Sequence, residues 1–163
     1  MKRIIILAAL LLTTISSFAQ SAKSIYMKYS EAEGVSAVYI SPAMFRMMGK
    51  VPGINLHGED VNLTPVIQSL SGLYLIDSEN HKISASLKED IDKFVKNGNF
   101  ELLMEAKDSG ETVKLYTSGT KTLVSGFVMF TYEKDDATFI YLDGKMNRDD
   151  FDKAISQPKT NKK

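Results

Sequence analysis

Hydrophobic and polar positions along this chain follow two periods, one helical and one of strands, which alternate before the strand period takes over. Ile25, Tyr26 and Tyr29 share one side of about two helical turns, with Gly34 just beyond, and predict a short amphipathic helix within Ser24 to Glu33. Val35 to Ile40 is dense in β-branched and aromatic residues and predicts a strand. Ser41 and Pro42 end that strand and start a helix from Pro42 to Met48, closed by Gly49. Lys50 to Asn62 has no sustained period and reads as a loop of about a dozen residues. A short helix is expected within Leu63 to Leu70, followed by a strand from Gly72 to Asp77. Leu87, Ile91, Phe94 and Val95 then mark the clearest helix, with Ser84 or Ser86 as its expected cap and Gly98 as its stop.

The last third reads as strands. Phe100, Leu102, Met104 and Ala106 alternate with Glu101, Leu103, Glu105 and Lys107, and Asp108 to Gly110 turns the chain into Val113 to Thr117. Ser118 to Lys121 makes the next turn, into a long strand from Thr122 to Tyr132, and Glu133 to Asp136 leads to a strand from Thr138 to Asp143. An even loop there puts Val128, Phe130 and Tyr132 on a face with Phe139 and Tyr141, and Phe127 and Met129 on the other with Ile140 and Leu142. Both faces are then apolar, so the second is either buried as well or a contact surface. A helix from about Asn147 to Ser156 closes the fold, and Gln157 to Lys163 is a polar, basic tail expected to be disordered. The pattern predicts one α+β domain over residues 20–156. Its sheet is mainly antiparallel, with helices on at least one face and a C-terminal β-meander.

Ahead of that domain, Lys2 and Arg3 precede an apolar run from Ile4 to Leu12, and Ser17-Phe18-Ala19 fits a cleavage site before Gln20. Residues 1–19 therefore read as a secretory signal peptide. The uncharged stretch from Ile4 to Ala19 is shorter than the ~20 residues that span a bilayer, so no retained membrane anchor is expected. Export points to a periplasmic or secreted protein. Cysteine is absent from the 163 residues, which excludes a disulfide framework, a thiolate nucleophile, a cysteine zinc site and a lipidated N-terminal cysteine. Twenty basic residues balance twenty acidic ones, without the basic footprint of a nucleic-acid binder.

The segments Lys28 to Met48 (KYSEAEGVSAVYISPAMFRMM), Leu70 to Asp77 (LSGLYLID), Asn99 to Lys107 (NFELLMEAK), Gly126 to Phe130 (GFVMF) and Tyr141 to Met146 (YLDGKM) carry a resemblance. In this order, behind a signal peptide, they resemble the bacterial envelope family called domain of unknown function 4252. The resemblance covers nearly all of the chain after the signal segment. It implies an exported α+β domain without established catalytic residues, and a setting near extracytoplasmic-function sigma factor systems that suggests envelope stress or regulation.

Chemistry is sparse. His57, in His57-Gly58-Glu59-Asp60, is the best acid-base or metal candidate, but zinc sites need three or four ligands, and His81 is twenty-four residues away outside any metal motif. No G-x-S-x-G elbow presents a serine. Gly119-Thr120-Lys121-Thr122 lacks the spacing of a phosphate loop, and Asp143 to Asn147 lacks the central glycine of a calcium loop. No catalytic residue, metal or cofactor is assigned. The expected function is a non-catalytic binding or regulatory module, whose partner is an unidentified envelope protein. Its expected contact residues are Met44, Phe45 and Met48 on a flexible, polarizable helix, with His57 in the adjoining loop. The alternative is a periplasmic carrier of a small apolar ligand, with Phe130, Tyr132, Phe139 and Tyr141 lining the cavity.

Overall fold

Small polar side chains cap helix starts along the chain, and apolar stripes hold the helices to the sheet. In α1 (Ala22–Tyr29), Ser21 caps the first turn: its hydroxyl accepts from the Ser24 amide at 3.1 Å while the Ser24 hydroxyl accepts from the Ser21 amide at 2.9 Å. Ala22, Ile25 and Tyr29 form its buried stripe. The helix begins before Ser24 and ends at Tyr29, earlier than the expected Glu33, because the Ala32 amide folds back onto the Tyr29 carbonyl in a turn. The computed structural model describes residues 21–48 and 64–155. The expected signal segment 1–19, the loop from Lys50 to Asn62 with His57, and the tail 157–163 lie outside the described residues.

β1 (Val35–Ile40) leads into α2 (Pro42–Met48), and α3 (Thr64–Gln68) precedes β2 (Leu70–Ser78). Next comes α4 (His81–Asn97), whose cap is Asn80 rather than Ser84 or Ser86. The Asn80 side-chain carbonyl accepts from the amides of Lys82 at 3.1 Å and Ile83 at 3.4 Å. Ser84 is instead a buried interior residue, its hydroxyl donating to Ser78. The chain then runs through a meander of β3 (Glu101–Asp108), β4 (Glu111–Gly119), β5 (Leu123–Tyr132) and β6 (Ala137–Asn147), and ends in α5 (Arg148–Ile155).

The six strands among the described residues form one antiparallel sheet in the order β1-β2-β6-β5-β4-β3. The meander therefore supplies four adjacent strands, and the β1–β2 pair is added against β6. β6 continues past the expected end at Asp143, because Gly144 lets the backbone of β2 approach. A Cβ at Gly144 would stand 2.6 Å from the Ser69 carbonyl oxygen, which accepts from the Lys145 amide. Met146, two residues on, is fully buried.

Helices cover both sheet faces, unequally. On the first face α1 and α4 enclose the larger cluster: Ile25, Tyr29, Leu87, Ile91 and Phe94 pack on Ile76, Phe139, Phe130 and Val128. On the second face α2, α3 and α5 enclose a smaller cluster around Phe45, Leu70, Val124, Met146 and Phe151. The face assignment expected for the last hairpin is observed, with Phe130 opposite Phe139, Val128 opposite Tyr141 and Met129 opposite Ile140. The alternation expected along β3 is not. A bulge between Leu102 and Met104 puts Leu102 opposite Tyr116 and Met104 opposite Leu115, on opposite faces.

Candidate functional site

The sequence-predicted contact residues separate in three dimensions. Phe45 is 4% exposed and belongs to the second cluster, so it anchors α2 and offers no contact surface. Met48 is half-buried against the same cluster, and Met44, at 49%, is the one of the three that faces solvent. Met47, on the same helix but outside the expected contact set, is more exposed still, at 60%.

The predicted cavity lining is packed core. Phe130 and Phe139 have no exposed surface and belong to the larger cluster, because the helices α1 and α4 sit directly on them. Tyr132 stacks on Phe130 at 5.3 Å and lies under the ammonium groups of Lys88 and Lys114. It borders two open depressions of about 320 and 270 Å³. Tyr141 stacks on Tyr74 at 6.3 Å and meets Phe94 edge-on at 5.5 Å, while its hydroxyl reaches Asp143 at 3.4 Å. Burial, with Asp143 adding to it, raises its pKa well above that of an ordinary tyrosine. Tyr26, Tyr39 and Tyr74 continue this ladder of rings to the β1 edge.

The electrostatically tightest group on the first face is structural. Asp90, on the buried side of α4, accepts from the Tyr29 hydroxyl at 2.7 Å and from the Lys28 ammonium at 2.6 Å, tying α1 to α4. Burial first, and the hydrogen bond to Asp90 second, push Tyr29 up to about 12. His81 sits 2.8 Å from Asp135 at the exposed start of α4. Among the described residues no group of three metal-ligating side chains comes together.

The second face holds the feature that points outward. Its strand residues form rows across the sheet, each residue standing beside its partner on the next strand. One row, Ile40, Leu73, Leu142 and Phe127, lies under α2, α3 and α5. The next row is Val38, Leu75, Ile140, Met129, Leu115 and Met104, paired in unbroken succession from one edge of the sheet to the other. All six are apolar, and none belongs to either buried cluster. Val38 and Met104, at the two ends, are 45% and 44% exposed, and the four between them are half-buried. The following row is polar over its first four positions, Ser36, Asp77, Thr138 and Thr131, and apolar at Val113 and Ala106 on β4 and β3; Thr138 donates to Asp77 at 2.6 Å.

Sequence reasoning found Met129 and Ile140 as part of a second apolar face and missed the rest of the row. Val38, Leu75, Leu115 and Met104 are each unremarkable in their own strands; only the register joins them. No curated protein and no solved structure matches the chain. Residues 29–154 match the family described as a domain of unknown function (DUF4252), and the chain, with its six-stranded antiparallel sheet and helices on both faces, belongs to that family.

Proposed function

We propose that this chain is an exported, non-catalytic binding module of the bacterial envelope, which captures a partner on the half of its second sheet face that is bare among the described residues. The observation that carries the reading is the unbroken apolar row from Val38 to Met104. A strand residue turned to water on a settled face is ordinarily polar, as the next row is from Ser36 to Thr131, and contiguous exposed apolar surface marks sites of interaction. The regulatory setting implied by the family resemblance agrees with such a module, as does the signal-like segment 1–19.

Photo-crosslinking in intact host cells tests it. A photoreactive residue at position 38 or 104 is expected to give a discrete adduct with an envelope protein, whereas one at Lys93, on the exposed side of α4, gives none. Equal labelling from all three positions, or none from the two row positions, overturns the docking reading. The mass of the same purified material tests export, with the chain expected to start at Gln20.

A further inference from the structure

We propose that the occupant of the bare row is a basic amphipathic helix supplied by a partner protein, an inference that rests on the docking function proposed above. The shape of the site selects a helix. Six strands at their usual spacing make the row ~24 Å long, the length of a helix of about 16 residues, and the row is a single residue deep over β1, β2, β6 and β5, widening to two at Val113 and Ala106. That matches the apolar stripe of one helix. Two sheets packing face to face stand only ~10 Å apart, about one helix diameter. The helices α2, α3 and α5 already rise from the adjoining row of this face, so they block a second sheet from reaching Val38 to Met104. A single helix laid alongside them completes their layer.

Charge selects the sign of that helix. Its inner side would lie against α2, α3 and α5, and its outer side would run along the polar row toward one end of the sheet. At that end Asp77 near the end of β2, Glu79 just after it, Glu111 at the start of β4, and Glu133 and Asp136 in the loop after β5 surround one depression of about 320 Å³. Lysine or arginine along the outer side of a docked helix meets these carboxylates, and glutamate there meets like charge. The same carboxylates disfavour an anionic membrane surface as the occupant.

Two synthetic peptides of about 18 residues, ~27 Å long as helices, test the idea. Both carry leucine at i, i+3, i+4 and i+7; the remaining positions are mostly lysine in one and mostly glutamate in the other. Fluorescence anisotropy against the purified chain is expected to show micromolar binding of the lysine peptide, weakened by salt, and at least tenfold weaker binding of the glutamate peptide. Val38→Lys and Met104→Lys, both at exposed ends of the row, should each weaken the lysine peptide tenfold without lowering Tm. Glu133→Gln with Asp136→Asn should narrow the difference between the peptides.

Equal or tighter binding of the glutamate peptide overturns the inference, as does failure of both peptides. Sedimentation showing a dimer that Met104→Lys dissolves overturns it in favour of a second copy of this chain. Binding to phosphatidylglycerol vesicles that the same variants abolish overturns it in favour of a membrane. If adducts still form from positions 38 and 104, only the helical occupant is lost. If those adducts are absent too, the docking reading falls with it.

Discussion

Replacing Phe45 by alanine and Met44 by serine, one at a time, divides anchor from surface on a helix of seven residues. Phe45 is 4% exposed and packs in one cluster with Leu70, Val124, Met146 and Phe151, the last of which also meets Phe127 at 5.3 Å. Removing a buried phenylalanine side chain costs about 3 to 5 kcal/mol through lost burial and the cavity left behind. The lower end applies here. The α2 helix begins on a single small cap, the Ser41 hydroxyl accepting from the Met44 amide at 3.3 Å, so it can settle inward and fill part of the space. About 3 kcal/mol is a large share of the ~5 to 15 kcal/mol that holds a domain folded, and at this chain length it lowers Tm by roughly 10 °C. Met44, 49% exposed, has little burial to lose, and serine there should stay within ~0.5 kcal/mol of the parent. Urea unfolding followed by far-ultraviolet circular dichroism measures both, with an unchanged m-value required before the midpoints are compared. A loss under ~1 kcal/mol for Phe45→Ala, or equal losses for the two variants, would refute the anchoring role of Phe45 and the packing of α2 described above.

Tyr29→Phe should cost ~1 to 3 kcal/mol because it strips a buried carboxylate of a hydroxyl donor. Lys28→Met should cost under ~1 kcal/mol, since the lysine side chain is 53% exposed and screened by water; unfolding midpoints in the reverse order would contradict this. Burial is the first cause that raises Tyr29 to about 12, and it raises Tyr74, Tyr116 and Tyr141 as well, so the folded state holds these protons at a pH where the unfolded chain has released them. The contribution of Tyr29 to stability is complete below about pH 10 and is lost as pH rises through 12, and the other three, also raised, act in the same direction. Native protein should accordingly show delayed tyrosinate absorbance at 295 nm; all seven tyrosines ionising together near pH 10 would count against it. Gly126→Ala should cost ~1 to 3 kcal/mol, because its Cβ would lie 2.9 Å from the Tyr141 ring and 3.0 Å from the Ser118 hydroxyl. Tyr141→Val in the same chain should recover part of that loss in thermal unfolding.

Local alternation carried much of this architecture, and its successes and failures have physical causes. The last hairpin was readable because the four residues Glu133 to Asp136 join two long alternating strands, so parity alone pairs Phe130 with Phe139. Parity cannot say which strands are neighbours, and nothing local places β2 between β1 and β6. Nor does alternation survive a bulge, which is why Leu102 and Met104, on one face by alternation, lie on opposite faces. On α2 the spacing of Met44, Phe45 and Met48 is compatible with more than one buried side, and the choice is made by Leu70, Val124 and Met146, distant in sequence. The same reasoning bears on the bare row. An apolar residue in a strand looks the same whether a helix covers it, as with Leu73 and Leu142, or stops one row short, as with Leu75 and Ile140. Excess apolar character on the second face was therefore legible from Phe127, Met129, Ile140 and Leu142, whereas the boundary between core and docking surface was not. That boundary is set by the reach of three short helices, a tertiary property with no local signature in the strands beneath them.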